Sequence, residues 1–430
     1  MRKTVSYEIG NPLDYKQKLI CFASQFEHFL ILDSAGYTSK YALLAALGAE
    51  QLFYPVSRSS FDELYNWHRQ CKDWLFGHIS YDVKNEIEML TSSLPDNIQF
   101  PMLSFFQPAY IIELKNNQVL YHISENKTET EVENLHHEIL IFTVSNYTKI
   151  NILPFHKQIT KQQYLDNFSH IKRHIQMGDI YEMNYCQEFY NDLFIEEPSA
   201  CFNSLMHHTP MPFSAYYRHK ENYLLCASPE RYIKKSGNTI ISQPIKGTIK
   251  RGINNKEDFL LKYALEHSEK ERAENCMIVD LVRNDLSRTA LKGSVRVTEL
   301  CKVYSYPTVF QMISTVQSQL KEGIPFTDVL KTTFPMGSMT GAPKISAMKL
   351  IEKYEAVRRG LYSGTVGYID PRGDFDFNVV IRSLQINTKI RYASFITGSA
   401  ITINADAEKE YEECLVKAEG LMRAFHSSIF

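Results

Sequence analysis

What this 430-residue chain lacks removes several classes of function before any motif is read. No apolar run approaches the ~20 residues needed to cross a bilayer; Glu138–Val144 (EILIFTV) is typical of the longest and far too short. The start, MRKTVSYEIG, has no apolar stretch of the kind a secretory signal carries. Neither charge dominates: 47 Lys and Arg face 49 Asp and Glu, a formal net charge of −2. The chain as a whole therefore offers no field to nucleic acid or an anionic membrane. Its eight cysteines are scattered and form no Cys-x-x-Cys pair, so no zinc framework is present. Scattered cysteines without a secretory signal read as reduced core residues of a cytoplasmic protein. No repeat, low-complexity tract or long linker interrupts the chain.

What is present is the balance of an ordinary globular protein, 44% apolar and 22% charged, with ample material for a core. Strand patterns cover FLILD and YIIEL early in the chain, then ENYLLCAS, NTIISQP, SGTVGYID, FNVVIRSLQI and YASFITGSAITI. Helical patterns are YALLAALGAEQLF, KQQYLDNFSHIKRHIQMG, the 262–289 region, PKISAMKLIEKYEAVRRG and Glu408–Phe425. The polar stretch Ile123–Glu138 reads as a surface excursion late in an N-terminal region. The two parts are placed at 1–148 and 149–430. Strands in clusters, flanked by helices, predict an α+β fold with large, mainly antiparallel sheets.

Several constellations carry chemistry. In QPIKGTIKRG a single lysine, Lys246, occupies a tight bend, where it is either a solvated turn residue or a group held for a purpose. In the tail, Tyr411, Leu415, Ala418 and Met422 form an apolar stripe, with Glu412, Glu419 and Arg423 opposite. Glu410, Glu413 and Lys417 run along the edge of that stripe, one turn apart. Two carboxylates so spaced can hold a hard cation such as Mg²⁺, or can form a solvated acidic edge with a Glu–Lys pair. Glu274 shares a helix face with Ile278, Leu281 and Asp285. It is either a buried-side carboxylate needing a partner or metal, or a first-turn glutamate complementing the helix dipole.

FPMGSMTGAPK is not a Walker A loop, because Ala342 and Pro343 separate Gly341 from Lys344. Pro343 suits a first helical turn capped by Ser338 or Thr340, with free backbone N–H groups for an anion. Ser399, flanked by Gly398 and Ala400, and a strand arginine, Arg382, add further carboxylate holders. Together these describe a site for a small dianionic acid beside a divalent cation.

Motifs from Ile171 to Met422 resemble the chorismate-utilising enzymes, which include anthranilate, aminodeoxychorismate, isochorismate and salicylate synthases. They are GDIYEMNYCQEF, ASPERYI, PIKGT, AENCMIVDLVRNDLSR, GSMTGAPK, LYSGTVGYID, VVIRSL and EYEECLVKA. FLILDSAGY and FGHISYDVKNEIEML agree more loosely. The resemblance implies two large antiparallel β-sheets packed as a sandwich with outer helices, an N-terminal region over 1–148 and a chorismate-binding core over 149–430. It makes Glu274, Glu410 and Glu413 the Mg²⁺ ligands. Tyr362, Arg382, Ser338, Thr340, Gly341 and the backbone of Gly398–Ala400 would hold chorismate, with Lys417 nearby.

Within the family, lysine in Pro-Ile-x-Gly-Thr resembles the aminodeoxychorismate synthases, whereas the anthranilate and isochorismate branches carry alanine. That branch implies attack of Lys246 on C2 of chorismate while the Mg²⁺-assisted C4 hydroxyl leaves, then amination at C4 by ammonia. Glu230 is the implied general acid/base. A lysine attacks only when neutral, and desolvation can lower its pKa. Gln311 stands near a histidine of the anthranilate branch associated with pyruvate elimination, and it can neither give nor take a proton. No glutaminase-like segment is seen, which implies ammonia from a separate glutamine amidotransferase subunit. Ser34 in FLILDSAGY falls where the family has a tryptophan-binding pocket, or simply ends a core strand. The rival readings are an anthranilate synthase component I and a non-catalytic, amino-acid-sensing relative.

Overall fold

The computed structural model describes residues 2–144, 154–192, 195, 197–307, 309–425 and 427–429. The boundary placed at 148/149 lies outside the described residues. Among these residues all strand–strand pairings of the named strands are antiparallel, and the strands join one continuous ladder. Two arms meet at the long strand Leu103–Lys115. On one side it pairs with Leu43–Phe53, which leads through His28–Asp33, Phe213–His219, Asn222–Ser228, Ser383–Asn387 and Tyr392–Ile401 to Glu182–Asn191. On the other it pairs with Leu75–Ile79, which leads through Thr365–Ile369, Phe375–Asn378, Arg231–Ser236 and Thr239–Gln243 to Val309–Gln319. The two expected sheets are these two arms, and both contain strands from the early and late parts of the chain.

Leu30, Leu44, Tyr217 and Leu224 of the first arm and Phe76, Val366 and Tyr368 of the second share one buried cluster, so the arms pack face to face. The outer face of the first arm is covered by helices Pro12–Phe22, Glu129–Ile141, Pro198–His208 and Ala407–Phe425. Helices Ser60–Cys71, Glu269–Ser287 and Phe326–Thr333 cover the second. No helix of the described residues is long and apolar enough to cross a membrane.

Most expected elements form where the pattern put them, and each exception has a local cause. YALLAALGAEQLF is a strand, not a helix, over Leu43–Phe53. Leu43, Ala45 and Leu47 face the outer helices while Leu44 and Ala46 face the other arm. A strand buried on both faces loses its alternation and imitates a helical run. The 123–138 stretch contributes the amphipathic helix Glu129–Ile141, started by a Thr128/Glu131 capping box and burying Val132, Leu135 and Ile139. The 262–289 region is two helices, because Ser268 caps a new one by accepting from the Glu271 N–H. FNVVIRSLQI breaks into two strands around Arg382, whose φ is +49°. The helix after GSMTGAP begins at Lys344 with Pro343 just before it, and neither Ser338 nor Thr340 caps it.

One buried cation ties the GSMTGAP loop to the sheets. Arg359, 2% exposed, donates to both oxygens of Glu355, at 2.9 and 2.6 Å, and to the carbonyls of Met339 and Asn184. Removing one partner of such a pair leaves an uncompensated buried charge. Arg359→Ala is expected to lower unfolding stability by about 3–5 kcal/mol, read as a shifted urea midpoint with little change in slope.

Candidate active site

Lys246 lies on the Ile245–Lys250 strand at a register shift opposite Val309–Gln319. Gly247, at φ +89°, makes the bend, and a Cβ there would meet Glu271 Oε2 at 3.0 Å. The bend turns Lys246 inward. Its side chain is 11% exposed and donates to Glu182 Oε1 at 2.5 Å, which excludes the solvated-turn reading. Burial alone would lower the Lys246 pKa, but Glu182, Glu274 and Glu230 outweigh it and hold the ammonium above its ordinary range. Desolvation thus acts in the expected direction without prevailing, and the neighbouring acids favour the ammonium in the resting site.

Glu230 follows the Asn222–Ser228 strand, is buried, and accepts from Ser338 Oγ at 2.7 Å. Burial pushes its pKa up to about 7 against the opposing pull of Ser338 and Lys246. Glu274 sits beyond the first turn of the 269–287 helix and is buried, so the dipole-capping alternative fails. Its pKa is also pushed up to about 7, chiefly by burial. Glu182 Oε2 and Glu274 Oε1 have no hydrogen-bond partner.

The tail helix adds the other two expected carboxylates. Glu410 is buried and its pKa is raised, by burial first and Glu413 second. Burial also acts to raise Glu413, but Lys417 at 2.7 Å prevails and holds it low. Lys417 donates as well to the Gly398 carbonyl at 2.7 Å. Between the two helices stands Lys270, whose Nζ is 3.2 Å from Glu410 Oε1 and 3.9 Å from Glu274 Oε1. Among the described residues no three His, Cys, Asp or Glu side chains converge closely enough to share an ion. Carboxylates of two helices instead converge on an ammonium, and Glu274 keeps an unpartnered buried oxygen beside it. In donor type these residues fit a hard cation.

The remaining expected residues divide by what they touch. Ser338 and Arg382 belong to the cluster, Arg382 by its electrostatic effect on Glu230. Among the described residues its guanidinium hydrogen-bonds only to the sulfur of Met211, at 4.0 Å, and a guanidinium with free donors suits a carboxylate. Ser399 shares a hydrogen bond with Tyr164 Oη at 3.0 Å and opposes the rise in the Glu410 pKa. Gly398 and Ala400 are paired with Cys186 and Asn184, and a Cβ on Gly398 would strike the Cys186 sulfur. Gly341 pairs with Met183, next to Glu182. Thr340 spends its hydroxyl on the Met336 carbonyl, and Tyr362 is buried with its hydroxyl against the Cys186 thiol. Gln311 is buried opposite Thr248, with Oε1 unpartnered.

Ser34 stands apart. Its hydroxyl donates to the Ala42 carbonyl, and it lines an open pocket with Asp33, Lys40, Tyr41 and Tyr368. Sequence reasoning missed Glu182, Lys270 and Glu271. Glu182 carried a signal, its place inside the GDIYEMNYCQEF motif; the other two looked like solvated charges of a helix start.

Comparison with known proteins agrees with this geometry. The family model for chorismate binding enzymes matches residues 25–423. Aminodeoxychorismate synthase component 1 of Bacillus subtilis is 32% identical over 363 residues, 82% of this chain and 77% of that one. Anthranilate synthase component 1 of Aquifex aeolicus is 37% identical over 265 residues, 62% of this chain and 53% of the relative. In fold, the chain is similar to the crystal structure of anthranilate synthase component I from Streptococcus pneumoniae, with a TM-score of 0.75 and 23% identity over 92% of each chain. A match across nearly the whole length, over a buried cluster of acids, lysines and an available arginine, places the chain in the family of chorismate binding enzymes.

Proposed function

We propose that this enzyme aminates chorismate at C4 with ammonia, giving 4-amino-4-deoxychorismate through a covalent adduct on Lys246. The observation that carries this reading is Lys246 itself, turned inward by Gly247 and joined to Glu182 beside Glu230 and Glu274. A structural lysine would need one carboxylate; this one meets several, two of them with pKa values near neutrality.

The steps follow from these groups. Lys246 passes a proton to Glu182 and its nitrogen forms a bond to C2 of chorismate. Both ring double bonds shift, from C1=C2 to C1=C6 and from C5=C6 to C4=C5, the C4–O bond breaks, and the hydroxyl takes a proton from Glu230 and leaves as water. Ammonia then bonds to C4 and yields a proton to Glu230, both double bonds return, and Lys246 departs from C2 with its electron pair and takes its proton back from Glu182. Arg382 holds one substrate carboxylate, and Ser338 keeps Glu230 in place. Glu274, Glu410 and Glu413 would hold Mg²⁺, which when bound supplies Lewis-acid polarisation of a substrate oxygen. Gln311 supplies no proton, which favours retention of the enolpyruvyl group over the anthranilate outcome. The relative's designation as component 1 supports a separate partner that furnishes ammonia from glutamine. A cytoplasmic location suits eight cysteines that are all free. The Ser34 cavity is the place to look for tryptophan.

Three measurements test this. With chorismate and Mg²⁺ but no ammonia, intact-protein mass spectrometry should show a gain of chorismate less water, mapped to Lys246. Lys246→Ala should lose adduct and product, and Lys246→Arg should not rescue, because a guanidinium stays protonated. Near-parent formation of the 4-amino product by Lys246→Ala would rule the lysine out as nucleophile. Glu410→Gln should fold, by circular dichroism, yet bind Mg²⁺ about tenfold or more weakly by calorimetry; unchanged affinity would remove Glu410 from the metal site. Glu230, with its pKa near 7, must be protonated to act as the acid. Turnover should therefore fall about tenfold per unit above that pH, and Glu230→Gln should lose this limb along with most activity.

A further inference from the structure

Cys276 lies on the 269–287 helix two residues past Glu274, and Cys301 lies on the Arg296–Ser305 strand packed against that helix. Both thiols are free and their sulfurs are 4.0 Å apart. Cys301 has φ +52°, at a register shift between Glu299 and Lys302. Such a backbone is uncommon for a residue other than glycine, and a bulge re-aims the side chain it carries. Here it directs Cys301 at the helix, where the thiol also reaches Asn275 Oδ1 at 3.7 Å and the Arg272 carbonyl at 3.9 Å. Access differs between the two. Cys276 is half-buried, whereas Cys301 is 5% exposed and lies behind it.

We infer that Cys276 and Cys301 form a reversible disulfide that brakes the enzyme under oxidation by a peroxide. The Cys276 sulfur attacks one peroxide oxygen, the O–O bond breaks, and a sulfenic acid and one water result. The Cys301 sulfur then attacks the Cys276 sulfur, the S–O bond breaks, and a second water leaves. Two thiols lose two electrons and two protons, and the peroxide is reduced to water. Closing the gap to the S–S length of about 2.05 Å draws helix and strand together by up to about 2 Å. The helix carries Lys270 and Glu274, so the closure displaces both in the carboxylate cluster. The effect on turnover rests on reading that cluster as the chorismate site, whereas the cross-link is read separately by mass.

The test treats the full-length chain with hydrogen peroxide. Non-reducing peptide mapping is run beside chorismate consumption, before and after dithiothreitol. The expected result is a linked pair of peptides containing Cys276 and Cys301, and consumption lowered about tenfold or more and restored by dithiothreitol. Cys301→Ser should keep basal turnover while losing both the link and the reversible inhibition. Cys276→Ser, at the more exposed position, should do the same and serves if the buried change impairs folding. Absence of the linked peptides after peroxide treatment overturns the proposal. So does a fully linked protein that consumes chorismate at the reduced protein's rate.

Discussion

The architecture is organised around a surplus of buried negative charge. Glu182, Glu230, Glu274 and Glu410 are buried beside the half-buried Glu271 and the exposed Glu413, and Lys246, Lys270 and Lys417 pair with some of them. Withdrawing carboxylates from water is costly unless each finds a cation or a proton. The site uses both means: lysines pair with some, and Glu230 and Glu274 move their pKa values up to about 7. Such repulsion can be sustained only by a frame that resists opening. The acids come from four separate segments of the chain, and these are locked by long-range antiparallel pairing and by the Arg359–Glu355 pair under the GSMTGAP loop.

The same balance sets the state of Lys246. Burial and nearby acids act in opposite directions on an ammonium, and here the acids prevail. A protonated lysine is no nucleophile, but one bonded at 2.5 Å to a carboxylate has its base already in position. On the proposed reading, the resting ion pair keeps the nucleophile silent until a substrate alters the charge around it.

Much of this was legible in the sequence because it is local. The capping box at Thr160, Gly178 ending its helix in the left-handed region, and the amphipathic tail follow from neighbouring residues. The inward turn of Lys246 was foreshadowed by the glycine beside it. What was not legible depends on partners far along the chain. The 43–53 strand lost its alternation because two layers cover it. Arg382 left the strand pattern because the chain turns there through a positive φ. Glu182 became a partner of Lys246 across 64 residues of sequence, and Lys270 reaches Glu410 across 140. No periodicity records such distances, and only family motifs bring the acids together without coordinates.

Charge balance also orders events on the proposed reading. Chorismate is a dicarboxylate, and a site already rich in carboxylates repels it. Arg382 offsets one substrate charge, since its guanidinium has no carboxylate partner among the ion pairs of the described residues. The second must be met where Lys270 now stands between Glu274 and Glu410. An ammonium brings a single charge, whereas a divalent cation at that point brings two and leaves coordination positions open for the substrate. The flexible stem of Lys270, about half exposed, can withdraw towards solvent when such a cation arrives. Lys270 is then a placeholder that keeps the two glutamates from repelling one another in the resting enzyme. On the proposed reading the cation would precede the substrate, because without it the surplus of acids would keep chorismate out.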